Sequence, residues 1–244
     1  VYRNYRANHS TQVTARSYTV MIVSVIPARG GSKAIPKKNM IPFLGDPLIT
    51  YTIEQSRQSE LVEKTYVSTD DDHIAEVSRD AGADVINRPP ELATDTSSTE
   101  DALLHALEAM PEEPEIVVLL QCTSPLRREN DIDDAIQLVS EGPHDSALSC
   151  CEDHSFYWKQ DEETAEPINY DPADRQRRQE LNRWYQENGS IYVTSRDILE
   201  EEHCRLGGDI GIHEMPREMS FEIDTPEDYR IVEAIGKNID FEET

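Results

Sequence analysis

Apolar positions recur along this chain in two alternating periods, one suited to strands and one to helices. Residues 22–26 carry Ile22, Val23, Val25 and Ile26, a β-branched run that predicts a buried strand. Pro27 ends it, and Gly30-Gly31 then let the backbone turn sharply. Asp46 and Pro47 predict a helix, with Asp46 as N-cap and proline at the first helical position, running to about Gln58. A short strand over 65–68 is followed by acids at 70–72 and a helix that stops at Gly82, then by a strand over 83–86. Ser98 and Asp101 have the spacing of a capping box, and Ala102, Leu103, Ala106, Leu107 and Met110 share one helical face. The run from Ile116 to Leu120 is apolar throughout, as parallel strands covered on both faces tend to be. A helix over 130–140 and a strand over 147–151 follow.

The alternation stops between 152 and 186. That segment is polar and dense in charge, with Phe156, Tyr157 and Trp158 at one end and Trp184 and Tyr185 at the other. A strand over 190–194 resumes the pattern. A last strand is expected to end at Glu222-Ile223-Asp224, and Thr225-Pro226 to open a helix reaching about Ile239. Strands alternating with helices predict an α/β protein with a largely parallel sheet. Arg29, Asp70, Arg88 and Gln121 all follow the carboxyl ends of predicted strands, where such sheets bind ligands.

Charge changes the picture at both ends of this pattern. Residues 1–20 contain three arginines and no acid, whereas all 49 acids lie downstream, and the whole chain carries a net charge of −26. The N-terminal stretch, without apolar periodicity, reads as a disordered or non-native extension, with Met21 opening the folded part. The acidity argues against nucleic acid or an anionic membrane as partner. It is spread along the chain and paired with sparse lysine, which points to life at high salt. Activity and melting temperature should then rise together as KCl approaches about 1 M, where screening acts beyond ~3 Å; greatest stability in dilute buffer would refute this. No apolar run approaches the ~18 residues of a membrane span. The four cysteines lack metal-site spacing and read as reduced thiols of a cytoplasmic protein.

Against this acidic background, Arg29, Lys33, Lys37 and Lys38 place four cations within ten residues directly after a buried strand. A polyphosphate, met by backbone N–H groups and basic side chains, accounts for them better than a solvated turn does. The spacing is neither that of a Walker loop nor G-x-G-x-x-G. Glu222 and Asp224, two apart on a predicted strand, would point to one face, and their mutual repulsion calls for a cation such as Mg²⁺. Gln121 ends a buried strand, where an amide needs partners, which suggests contact with a polar ligand.

The stretch ARGGSKAIPKKN resembles the signature loop of the CMP-sialic acid synthetases (N-acylneuraminate cytidylyltransferases, with the legionaminate and pseudaminate enzymes). RPPELATDTSS, LLQCTSPLR, RQEL, ENGSIYV and FEIDTPED follow in that family's order, covering roughly residues 21 to 235. The resemblance implies a three-layer Rossmann-like nucleotidyltransferase fold, with a core over 21–151 and 187–244 and an inserted dimerisation arm over 152–186. It implies transfer of CMP from CTP to the anomeric hydroxyl of a nonulosonic acid, with Mg²⁺ as cofactor and a homodimer as the working unit. Arg29, Lys33 and Lys38 would hold the triphosphate, with Asn39 beside the nucleotide. Arg88, Ser97 and Thr99 would address the base, although Ser97, Ser98 and Thr99 also suit plain helix capping. Gln121, Asn188 and Tyr192 would line the sugar pocket, Tyr192 equally fitting a packed strand. Lys159 and Arg178 would reach from the arm into the partner's site and meet the acceptor's carboxylate.

This chain departs from the family pattern in three places. Ala34 stands where glycine is usual, Thr99 where serine is usual, and Glu222 where aspartate is usual, which makes Asp224 the safer metal ligand. Two other readings stand beside this one. One is a different sugar nucleotidyltransferase, such as the 3-deoxy-manno-octulosonate enzyme, against which the arm and the order of RQEL and ENGSIYV speak; the other is a non-catalytic nucleotide-binding protein, disfavoured by Asp224 beside a complete basic loop.

Overall fold

The sheet grows outward from β1 (Ile22–Pro27), whose alternate residues face opposite layers. The structure, a computed structural model, describes residues 20–175, 177 and 183–239. Arg178 and the N-terminal stretch 1–19 lie outside them. After β1 come β2 (Pro42–Phe43), β3 (Asp46–Pro47), β4 (Lys64–Thr69), β5 (Asp84–Asn87) and β6 (Ile116–Leu120). Then follow β7 (Ser146–Asp153), β8 (Trp158–Asp161), β9 (Thr164–Pro167), β10 (Trp184–Ser195) and β11 (Ile210–Glu214). The helices are α1 (Leu48–Gln58), α2 (Asp72–Asp80), α3 (Thr99–Ala109), α4 (Asp131–Ser140), α5 (Arg196–Glu202) and α6 (Pro226–Gly236).

Seven strands form one sheet in the order β11–β7–β10–β6–β1–β4–β5. All its pairings are parallel except those of β10, which runs antiparallel to both β6 and β7. Ile22 and Ile26 of β1, with Val118 and Leu120 of β6, pack under α1, α2, α4 and α6 in one buried cluster. Val23, Val25, Val117 and Leu119 face the other way, against Leu103, Ala106 and Leu107 of α3 and Leu199 of α5. Burial on both faces is why these strands are apolar without alternation. Three layers result.

Several local expectations are corrected. Asp46 and Pro47 do not open α1 as N-cap and first helical residue. They pair with Pro42–Phe43 in a tight hairpin turned by Leu44 (φ 48°) and Gly45 (φ 119°), and Pro47 is the N-cap. Two consecutive positive φ angles make a turn whose twist suits a two-residue hairpin, and this claims Asp46 before the helix can. Glu222-Ile223-Asp224 joins no strand. Its one ladder-like contact is Ile223 N–H to the Thr123 carbonyl, 2.7 Å, and fully buried Ile223 anchors it. The alternation survives, so the two carboxylates still flank a buried residue. Positive φ at non-glycine positions is confined, among the described residues, to Lys37, Leu44, Glu162 and His203, so Ala34 needs no glycine backbone.

The capping box of Ser98 with Asp101 opens α3 as read, and Thr225-Pro226 opens α6, where the structure adds a second box between Thr225 and Asp228. Within the polar excursion after 152, β8 and β9 form a hairpin, while β7 and β10 pair out to Asp153 and Trp184. At its base Phe156 and Tyr170 pack together and the Arg175 guanidinium lies 4.3 Å from the Phe156 ring. Among the described residues no helix is long and apolar enough to cross a membrane.

Candidate active site

The carboxyl ends of β1, β5 and β6 and the N-terminus of α3 converge on a cleft of about 180 Å³. Arg29, Lys38, Asn39, Arg88, Ser97, Thr99 and Gln121 all line it. These residues are spread over more than 90 positions of sequence; Arg29, Arg88 and Gln121 are delivered by strands that end nearby, and Ser97 and Thr99 by the start of α3. A larger hollow of about 500 Å³ lies between α1 and the loop before α4 and gathers none of the site residues expected from sequence.

The basic loop is held from beneath. Gly30 N–H donates to Asp70 Oδ1 at 2.9 Å, and a Cβ at Gly30 would come within 2.8 Å of Asp71, so a bare glycine is required there. Asn39 Nδ2 donates to the Arg29 carbonyl at 3.1 Å, tying the end of the loop to its start. Arg29 and Lys33 both reach Asp95, at 2.9 and 2.7 Å, and the two cations hold that carboxyl below its ordinary range. Lys38 Nζ meets Asp224 Oδ1 at 2.9 Å. Lys33 is almost fully exposed, at the rim, while Lys38 is largely enclosed.

Arg88 is buried, and burial pushes its guanidinium below the ordinary arginine value while Arg29 adds to the repulsion. Its Nε donates to Ser68 Oγ at 3.1 Å and its Nη2 to the Ser68 carbonyl. The charge of Asp70 opposes the shift more than Arg29 deepens it, so Arg88 is a buried cation partly balanced by one carboxylate. Ser97 Oγ donates to the Glu91 carbonyl and accepts from Thr94 N–H, both at 3.1 Å, so that hydroxyl shapes the loop. Thr99 opens α3, whose first turn presents the positive end of the helix dipole to the cleft.

On the far side, β10 breaks register against β7 between Glu187 and Tyr192. ENGSIYV is thus the sequence of a bulge, with Gly189 at φ 65°. A Cβ there would lie 1.5 Å from Glu222 Oε1 and 3.0 Å from Gln121 Oε1, so Gly189 makes the room in which those two side chains meet. Burial raises the Glu222 pKa, reinforced by the charge of Asp224 and opposed by Lys38. The structure does not bring Asn188 into the cleft. Its amide is committed inside, accepting from Ser149 Oγ at 2.6 Å and donating to Ser220 Oγ at 3.0 Å. Tyr192 is packed in the core, its hydroxyl bonded to Glu187 and its ring 4.9 Å from the Arg205 guanidinium. Lys159 stands exposed on β8, and the structure does not gather it with the cleft residues.

The donor set suits Mg²⁺ delivered by a substrate. Among the described residues no group of three or more histidines, cysteines or acids is arranged to hold a metal alone. Glu222 and Asp224 offer two carboxylates, and the strain on Glu222 from burial and like charge is what a cation relieves. Mg²⁺ is commonly bound by one or two carboxylates plus substrate phosphates.

Three residues escaped the sequence reading although they stand inside its motifs: Asp95, Glu187 and Arg127. Arg127 is 2% exposed, and burial lowers its pKa to about 10. It donates to the carbonyls of Gln121 (3.0 Å) and Ser190 (2.9 Å) and to Gln55 Oε1 (2.7 Å).

A family model described as cytidylyltransferase matches residues 23–244. The chain belongs to the cytidylyltransferase family. Within it, the chain is 35% identical over 216 residues to N-acylneuraminate cytidylyltransferase A of Danio rerio, covering 87% of this chain and 50% of that protein. It is 32% identical over 219 residues to an N-acylneuraminate cytidylyltransferase of Streptococcus agalactiae serotype III (strain NEM316), covering 88% and 52%. The chain therefore spans about half the length of these relatives. Among solved structures, a CMP:2-keto-3-deoxy-manno-octonic acid synthetase complexed with CTP superposes with a TM-score of 0.67 at 25% identity, covering 89% of this chain and 98% of that one. A 4-diphosphocytidyl-2C-methyl-D-erythritol synthase from Anaerococcus prevotii gives 0.65 at 11% identity, covering 90% and 97%, a likeness of fold alone. The cytidylyltransferase family thus accounts for the mostly parallel sheet and for the place of the cleft.

Proposed function

We propose that this protein transfers CMP from CTP to the anomeric hydroxyl of a nonulosonic acid and releases pyrophosphate. The observation that carries the reading is the convergence in one cleft of a buried Arg88, the basic pair Arg29 and Lys38, and the α3 N-terminus, with Asp224 bonded to Lys38 at the edge. Arg88 and the α3 turn suit the cytosine end, Arg29 and Lys38 the triphosphate, and Gln121 with Glu222 the acceptor. The acceptor hydroxyl attacks the α-phosphorus in line, the α–β phosphoanhydride bond breaks opposite it, and the hydroxyl proton passes to water. Arg29, Lys38 and rim Lys33 neutralise the charge that gathers on the departing pyrophosphate, and positioning supplies most of the rest. Mg²⁺, when bound through Asp224 and Glu222, would supply further charge stabilisation at the phosphates. Pyrophosphate release should require CTP, with UTP, ATP and GTP giving less than about a tenth of the rate; equal rates with all four would sink the reading. The octulosonate alternative is favoured by one observation, the 0.67 superposition on an enzyme of that name.

We further propose a homodimer joined through the arm, supported by exposed Trp158 on its hairpin and Ile168 just after β9, 51% and 55% accessible. Lys159 would serve the partner's site from there, as would Arg178. Light scattering should return about twice 27.8 kDa; a monomer at micromolar concentration would refute the arrangement.

A further inference from the structure

We propose that Arg127 is a positioning residue for the acceptor half of the site, setting the β10 bulge and the end of β6 in register. The inference rests on the functional reading above. Its guanidinium is enclosed, and among the described residues its hydrogen-bond partners are two backbone carbonyls and the side chains of Gln55 and Thr52, with none at Nε; Asp131 acts on it through charge without a bond. A charge placed so is a poor choice for stability alone. What it does hold is specific. Gln121 O and Ser190 O belong to the residue just after β6 and to the bulge of β10, where the direct bond from Gln121 N–H to Ser190 O is long, at 3.5 Å. One prong of the planar fork, Nη2, closes that gap by donating to both carbonyls, while the other, Nη1, is held by Gln55 and Thr52. The same bulge is pinned by Ser124 Oγ on the Asn188 carbonyl and by Ser149 Oγ, which accepts from Ile191 N–H at 2.8 Å. Its product is Gly189, against which Glu222 and Gln121 pack. Arg29, Lys38 and Arg88 stand on other loops and owe nothing to this fork.

The consequence is a split between substrates. In Arg127→Lys the charge and most of the length remain, but an ammonium cannot reproduce the planar fork. KM for N-acetylneuraminic acid should rise about tenfold, while KM for CTP stays within about twofold. Gln55→Leu, which removes one acceptor of the fork, should shift the acceptor KM the same way by less, and it judges the proposal if Arg127→Lys does not fold. Amide hydrogen exchange reads positioning without turnover: Gln121, Ser190 and Ile191 should exchange faster, while Ala28 and Arg88, bonded to β4, should not change. Equal movement of both KM values, or uniform acceleration of exchange, would make Arg127 merely structural and overturn the proposal; so would no change in either. If the wild type releases no pyrophosphate, the functional reading fails by itself, and the exchange pattern still decides on Arg127.

Discussion

Asp224→Asn should lower magnesium-dependent kcat by roughly 10³-fold while leaving the melting temperature and KM for CTP nearly unchanged. The carboxylate is largely exposed at the edge of the cleft, and its one direct partner is Lys38, so the substitution removes a charge without opening a cavity. Lys38 remains to meet phosphate, which is why nucleotide binding should survive. Turnover should not, because Asp224 stands free of the core, whereas Glu222 is half-buried against Gly189 and Gln121. Glu222→Asp should be tolerated within about fivefold, since Gly189 leaves space that a shorter side chain does not need. If Glu222→Asp proved the more damaging change, the order of the two ligands would be reversed.

Arg29→Ala and Lys38→Ala should each reduce kcat/KM for CTP by roughly 10²-fold, equivalent to about 2.7 kcal/mol. Both line the cleft from the loop after β1 and neither supports the core, so circular dichroism should be unaltered. Lys33→Ala should cost less, because its ammonium stands almost wholly in solvent and shares Asp95 with Arg29. A folded Arg29 or Lys38 variant with near-normal kinetics would remove the loop from the mechanism.

The layered fold was legible because β1 and β6 are buried on both faces and so read as unbroken apolar runs. The capping box of α3 was legible because Ser98 and Asp101 are three residues apart, whereas that of α6 was read only as Thr225-Pro226. What escaped depends on long-range contact. β11 is an edge strand containing Gly211 and two exposed isoleucines, and only its pairing with β7 makes it a strand. The Glu222–Asp224 stretch has the alternation of a strand but no neighbouring edge to join. In the site, the cations of the basic loop were visible from their density against an acidic background. Asp95 and Arg127 were not, since one acts through a salt bridge to residues over sixty positions away and the other through backbone carbonyls, which leave no mark in composition. Asn188 and Tyr192 sit in a motif shared with the family, yet their side chains turn inward and hold the bulge.

The central claim is tested most directly by the product formed from CTP and a panel of acceptors, read by mass. N-acetylneuraminic, legionaminic and pseudaminic acids and 3-deoxy-manno-octulosonate would be offered at equal concentration. The account predicts a CMP-linked nine-carbon acid with stoichiometric pyrophosphate, at a kcat/KM at least about tenfold above that for the eight-carbon acid. A CMP-linked octulosonate as the sole product, or CTP left intact with every acceptor, would contradict it.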